Sequence, residues 1–213
     1  MALFNLSDTN SIANQFMYEL RDQHIQRDRM RFRKNIERLG EIMAFEVSKK
    51  LAYKDDTVTG PLGSADVQTL KAQPVLLTIL RAGLTFHQGF LNFFDQADCG
   101  FVGAYRKEEG EIDIQVDYLA APSLEGRDAI LVDPMLATGK SLVKALSVLL
   151  SKGMPAHLHI VGLVSAPEGL AYLEEHVQIP HSIWVCAVDD TLNSNFYIVP
   201  GLGDAGDLSY GEK

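Results

Sequence analysis

The tightest constraint on this chain is the stretch from Asp128 to Ser141, Asp-Ala-Ile-Leu-Val-Asp-Pro-Met-Leu-Ala-Thr-Gly-Lys-Ser. Ala129 to Val132 is a short apolar run flanked by charge and proline, the pattern of a strand buried on both faces. Pro134 has no N–H to give to a sheet ladder, so the strand ends with Asp133 at its tip. The small, hydroxylated turn Ala137-Thr138-Gly139-Lys140-Ser141 follows, then a nearly apolar run from Leu142 to Leu150 that closes at Lys152-Gly153, a helix with a glycine stop. Together these make an anion cradle. The free N–H groups at the helix start point at the turn, and the helix dipole favours negative charge there. Thr138 and Ser141 add hydroxyl donors, and Gly139 lets the backbone approach a phosphate closely. Asp133 cannot grip phosphate, but it accepts hydrogen bonds from sugar hydroxyls or holds a metal through water. A phosphate grip beside a carboxylate points to a phosphorylated sugar. Gly139-Lys140-Ser141 also matches the end of the nucleotide-triphosphate loop G-x-x-x-x-G-K-[ST], but that loop needs glycine at position 134, which is proline.

The rest of the chain supplies a frame for this cradle. Residues 1–14 read as a loose arm. Gln15 to Leu51 reads as helical, with Phe16, Leu20, Phe32, Ile36, Leu39, Met43 and Val47 at helical spacing and a break near Gln23 to Asp28. Asp55 to Ala72 is polar, with Gly60-Pro61 and Gly63-Ser64, and reads as a flexible connection with a short hairpin or turn. Strands are expected at Val75–Ile79, Gly100–Tyr105, Ile112–Tyr118, His157–Val164 and Ser182–Val188, and helices at Leu84–Phe94 and Pro167–Glu175. Strands alternating with helices imply an α/β fold, a mainly parallel sheet flanked by helices, with ligands at the C-terminal strand ends. Arg81, Arg106, Asp133 and Asp189 all come just after strands, at that edge. Two arginines there suit a polyanionic ligand, because their forks match phosphate oxygens.

Val132 to Ser141 resembles the phosphoribosyl-diphosphate (PRPP) motif of the uracil phosphoribosyltransferases. Tyr197-Ile198-Val199-Pro200-Gly201-Leu202-Gly203-Asp204-Ala205-Gly206-Asp207 is similar to that family's uracil-binding loop, and Ile79 to Leu84 and Tyr105 to Glu109 match two further blocks, in the family's order. The resemblance covers residues 15–213. It implies a single type I phosphoribosyltransferase-like domain over 1–213, with an N-terminal helical arm at 1–51, an α/β core at 74–188 and a C-terminal base-binding hood at 189–213. It also implies the reaction uracil + PRPP → UMP + diphosphate, a step of pyrimidine salvage. Arg81, Arg106, Asp133, Pro134, Met135, Leu136, Ala137, Thr138, Gly139, Lys140, Ser141 and Asp204 then meet PRPP, while Ile198, Gly203, Asp204 and Ala205 meet uracil. Arg81, Arg106 and Asp204 are the catalytic candidates. Mg2+ is the expected cofactor, held through substrate oxygens and water rather than by a carboxylate cage. Arg106 to Ile114, rich in charge, is the candidate flexible cover. The helical arm implies a homodimer at least. Four positions depart from the family pattern, which has glycine at each: Thr85, Lys140, Thr191 and Phe196. Lys140 fits if its φ is negative and is strained if it is positive.

Composition bounds the alternatives. The 213 residues are 46% hydrophobic and 22% charged, as in a soluble globular protein, and no apolar run reaches the ~20 residues of a membrane span. The polar N-terminus lacks a signal design, so the cytoplasm is the expected location. Cys99 and Cys186 lack metal-ligand spacing and read as buried thiols. A net charge of −9 argues against general nucleic-acid binding. The basic run Arg27, Arg29, Arg31, Arg33, Lys34 and Arg38 reads as a solvated helix face or a subunit contact; it is the one feature supporting a pyrimidine-responsive RNA-binding regulator. A phosphoribosyltransferase for another base is the other alternative, and the tail argues against it.

Overall fold

The computed structural model describes the backbone of residues 2–106 and 114–212, and the side chains of all of these except 104–106, 114 and 115. The elements run β1 (Ala2–Asn5), α1 (Ala13–Arg21), α2 (Arg29–Ser48), β2 (Tyr53–Gly60), β3 (Gly63–Leu70), β4 (Val75–Leu80), α3 (Leu84–Leu91), β5 (Asp98–Arg106) and β6 (Ile114–Ala120). Then follow β7 (Asp128–Val132), β8 (Met135–Leu136), α4 (Lys140–Leu149), β9 (His157–Ser165), α5 (Pro167–His176), β10 (His181–Val188), β11 (Thr191–Leu192), β12 (Ile198–Val199) and α6 (Ala205–Tyr210). The main sheet has the order β1-β10-β9-β7-β4-β5-β6, with β8 paired to β9. Its pairings are parallel except β5 with β6. This is the expected α/β architecture.

Period-two alternation along the buried strands sorts the core into two layers. In β4, Leu76 faces a layer that includes Leu20, Phe32, Ile36, Leu39, Met43, Phe86 and Phe90, from α1, α2 and α3. Val75, Leu77 and Ile79 face the opposite layer, against Leu142, Ala145, Leu146 and Leu149 of α4 and Leu170 and Leu173 of α5. The break between α1 and α2 falls where it is expected, and Asp28 caps α2 by accepting from the Arg31 N–H at 3.1 Å.

Two expectations are corrected. The N-terminal arm is not loose: β1 extends the sheet alongside β10, because Phe4 stacks on Trp184 with ring centroids 3.9 Å apart. The 55–72 connection does hold the expected hairpin, but it is not short: β2 pairs antiparallel with β3, in register from Tyr53↔Leu70 to Gly60↔Gly63. Every residue of β2 is exposed, so burial left no hydrophobic signal for the strand. Behind Trp184, the buried His159 accepts the indole N–H at Nδ1 (3.2 Å). Burial, aided by the neighbouring His157, holds its pKa down to about 4. Cys186 is buried as expected, whereas Cys99 is only partly so.

Candidate active site

Sheet topology places the site. From β4 the chain moves outward through α3 to β5 on one side, while β7 lies on the other side of β4. The connections therefore diverge at the C-terminal ends of β4 and β7, and such a divergence opens a crevice. A cleft of about 650 Å³ lies there. Ile79 to Ala82 line it from the end of β4, Asp133 and Met135 to Gly139 from beyond β7, and Ser141 and Leu142 from the start of α4. Its far wall is the C-terminal tail: Phe196, Tyr197, Ile198, Gly203, Asp204, Ala205 and Gly206. Two segments some sixty residues apart in sequence thus share one cavity.

The cradle forms because Gly139 accepts a backbone angle other residues resist. Its φ is +73°, and α4 begins at the next residue. A Cβ there would lie 3.0 Å from the Gly169 carbonyl oxygen of α5. Lys140 opens the helix outside the left-handed region, so the condition for tolerating a lysine is met, and its N–H donates to Thr138 Oγ1 at 3.4 Å. The Lys140 side chain is exposed and does not line the cleft. Pro134 does not line it either: it is buried, and its carbonyl accepts from the Leu163 and Val164 N–H groups of β9. Asp133 does line the cleft; its carboxylate accepts from the Met135 N–H at 3.3 Å, which turns the chain at the strand tip.

Among the described residues, Arg81 is the one cationic side chain lining the cleft. It donates to Asp207 Oδ1 and to the Gly211 carbonyl, each at 3.1 Å, and so ties the end of β4 to α6. Arg81 and Asp207 are both more than a third exposed, so their pair is worth only ~0.2–1 kcal/mol and the guanidinium can turn to an anionic ligand at little cost. Arg106 ends β5, and its side chain lies outside the described residues, as do residues 107–113 of the expected cover.

The tail is folded over the cleft as a hood. Asp204 is the N-cap of α6, accepting the Asp207 N–H at 2.9 Å. Gly201 and Gly203 have φ of +62° and +90°, angles open to glycine at no steric cost. Asp189, at the end of β10, accepts the Gly201 N–H at 2.8 Å. Arg21 of α1 forks onto Asp189 at 2.8 and 2.6 Å and also donates to the Gly201 carbonyl at 2.9 Å. Arg33, from the basic run, donates to the Ser209 carbonyl, so part of that run docks the tail within the chain. Thr85 and Tyr210 share a short hydroxyl contact. Thr191 donates to Glu168.

The structure therefore brings together Arg81, Asp133, Met135, Leu136, Ala137, Thr138, Gly139, Ser141, Ile198, Gly203, Asp204 and Ala205. Sequence reasoning missed Phe196, Tyr197 and Gly206 as lining residues, and it gave Arg21 no role. The only signal for Arg21 was a cation at the end of a helix. Phe196 has φ +60° and is 46% exposed. No group of three or more His, Cys, Asp or Glu with metal-ligating potential occurs among the described residues. The two cleft carboxylates, Asp133 and Asp204, fit a hard cation that arrives on an anionic ligand and is met through water.

Comparison with known proteins agrees with this arrangement. A family model described as Uracil phosphoribosyltransferase matches residues 7–211. A Uracil phosphoribosyltransferase of Porphyromonas gingivalis is 47% identical over 215 aligned positions, covering 100% of both chains. One from Shouchella clausii is 37% identical, again covering 100% of both. The solved structure of the AQ2163 protein from Aquifex aeolicus superposes with a TM-score of 0.87 at 32% identity, covering 98% of each chain. With a cradle and a glycine-shaped hood facing each other across one cleft, and with relatives alike along their whole length, the chain belongs to the uracil phosphoribosyltransferase family.

Proposed function

We propose that this cleft joins uracil to PRPP and releases UMP and diphosphate. The observation that carries the reading is the shared cavity: the phosphate cradle and the hood open onto the same space. The 5′-phosphate is assigned to Ala137 through Ser141, where the start of α4 offers N–H groups and Thr138 and Ser141 offer hydroxyls. Asp133 is assigned to the ribose hydroxyls and Arg81 and Arg106 to the diphosphate. Uracil offers two carbonyls and two N–H groups, and reading that pattern is assigned to main-chain groups at Ile198, Gly203 and Ala205, which line the cleft. An amino group in place of a carbonyl would leave a buried donor unpaired, which is how such a site discriminates.

As the C1–oxygen bond to diphosphate breaks, C1 gains positive character. The hood aligns N1 of the base with C1. Arg81 leaves Asp207 to neutralise charge growing on the leaving group. Asp204, fixed at the start of α6, orients the base. Met135, Leu136 and Ile198 supply apolar walls that limit hydrolysis of the donor by water. Mg2+, when bound, would supply further neutralisation of the diphosphate, and Asp133 and Asp204, which both line the cleft, would hold it through water.

The working unit is proposed to be a homodimer in the cytoplasm. The β2–β3 hairpin supports the dimer: it projects with Leu62 fully exposed and Val58 50% exposed, and an isolated two-stranded ribbon is marginal in water. The free thiols Cys99 and Cys186 support a reducing compartment, and no described helix is long and apolar enough to cross a membrane. The function is tested by UMP formation from uracil, PRPP and Mg2+, with hypoxanthine and orotate as controls. Folded protein that forms no UMP rejects it.

A further inference from the structure

The hood is held from behind by the first helix of the chain. Asp189 accepts the Gly201 N–H, and Arg21, forked onto Asp189, takes the Gly201 carbonyl. The N–H bond fixes the peptide plane before Gly201 and the carbonyl bond fixes the plane after it. A residue whose φ and ψ would otherwise range widely is thereby locked at φ +62°. Both anchors are themselves held. Asp189 donates its N–H to the Ser165 carbonyl at the end of β9, and Gln26 Nε2 donates to the Leu20 and Arg21 carbonyls that close α1. The Gln26 side-chain oxygen also lies 3.8 Å from where a Cβ on Gly203 would stand, so the same segment backs the hood at a second point. Leu202, between the two glycines, is buried. The result is a rigid path from the sheet and α1 to the main chain at 203–205, the wall of the cleft.

We infer that Arg21 is a positioning residue for base recognition. Through Asp189 and Gly201 it sets the angle at which the main chain of 203–205 meets the pyrimidine, so that the N-terminal arm contributes to base affinity although it does not line the cleft. The inference rests on reading 198–206 as the base-binding loop. Main-chain recognition tolerates displacements of only about half an ångström, whereas the phosphate cradle is built on β7 and α4 and does not depend on this bracket. The two substrates should therefore respond differently.

The test is Arg21→Lys, which keeps the charge opposite Asp189 but loses the fork and with it the simultaneous bond to Gly201. Steady-state kinetics should show KM for uracil raised about tenfold, since a shift of a fraction of an ångström costs part of the ~10²-fold expected for a full one. KM for PRPP should stay within about twofold, and hydrogen exchange at the amides of 201–205 should quicken. Arg21→Gln, which also loses the fork, provides a second variant if the first does not fold. Equal changes in both KM values, or no change in either, overturn the inference, because a merely structural role moves both together or neither. Wild-type protein that makes no UMP from uracil overturns the base reading itself, and the inference falls with it. Wild-type activity with no KM split in the variant overturns the inference alone.

Discussion

Replacing Gly139 with alanine tests the cradle directly. At φ +73° an L-residue pays ~1–2 kcal/mol relative to its preferred conformations. The new Cβ would lie 3.0 Å from the Gly169 carbonyl oxygen, 3.2 Å from Tyr172 Cδ1 and 3.3 Å from Leu173 Cγ, so α5 and the loop must separate slightly. Alanine also narrows the unfolded ensemble, which returns ~0.4–1 kcal/mol. The net loss should be ~1–2 kcal/mol once crowding is included, which for a chain of 213 residues lowers Tm by roughly 2–8 °C. The catalytic effect should be larger, because Thr138 and Ser141 flank the displaced residue; kcat/KM for PRPP should fall about 10–100-fold. Gly126 supplies the control. Its φ is +67°, but a Cβ there meets nothing within 4 Å and the residue does not line the cleft. Gly126→Ala should carry a similar backbone penalty and leave kcat/KM unchanged. Scanning calorimetry and steady-state assays on both variants decide the matter. If Gly139→Ala keeps kcat/KM for PRPP within about twofold of Gly126→Ala, the cradle assignment is wrong.

Three further outcomes are expected. Phe196→Gly should raise stability by no more than ~1 kcal/mol, because relief of the left-handed conformation (~1–2 kcal/mol) is offset by the wider unfolded ensemble of glycine (~0.4–1 kcal/mol); a clear fall in Tm on thermal melting would mean that the half-buried ring makes a stabilising contact. Arg81→Gln should raise KM for PRPP at least about tenfold, yet lower the free energy of unfolding by no more than the ~0.2–1 kcal/mol of a surface ion pair; a large loss of stability with unchanged KM would place Arg81 outside the site. His159, with its folded pKa held to about 4, binds its proton more readily in the unfolded chain, where its ordinary value is 6.5. Its neutral-state stabilisation is therefore complete above pH 6.5 and is lost as pH falls towards 4, by ~2 kcal/mol at pH 5. Urea unfolding at pH 7.5 and pH 5 should show this difference shrink in His159→Gln, and an equal pH dependence in the variant would exclude His159 as its source.

The chain's local chemistry determined a good deal. Pro134 after Asp133 marked the strand end, Thr138 to Ser141 marked the helix start, and largely apolar runs at 75–79 and 157–164 marked buried strands. These follow from nearest neighbours: a missing N–H, a free helix terminus, an apolar run. The cradle was legible for that reason, and the hood's glycines announced a loop shaped to touch a ligand. What the sequence could not settle depended on partners distant along the chain. β1 exists because Phe4 meets Trp184, some 180 residues away, and β2–β3 form a ladder in which the side chains of β2 bury nothing. Pro134 and Lys140 sit inside the motif but turn away from the cleft, since direction is set by the pairing of the loop to β9 and by the first turn of α4. Arg21 is one arginine among many until folding places Asp189 and both polar atoms of Gly201 around it. Local propensity fixes which segments turn, extend or coil, while only long-range burial and hydrogen bonding select which side chain faces the ligand.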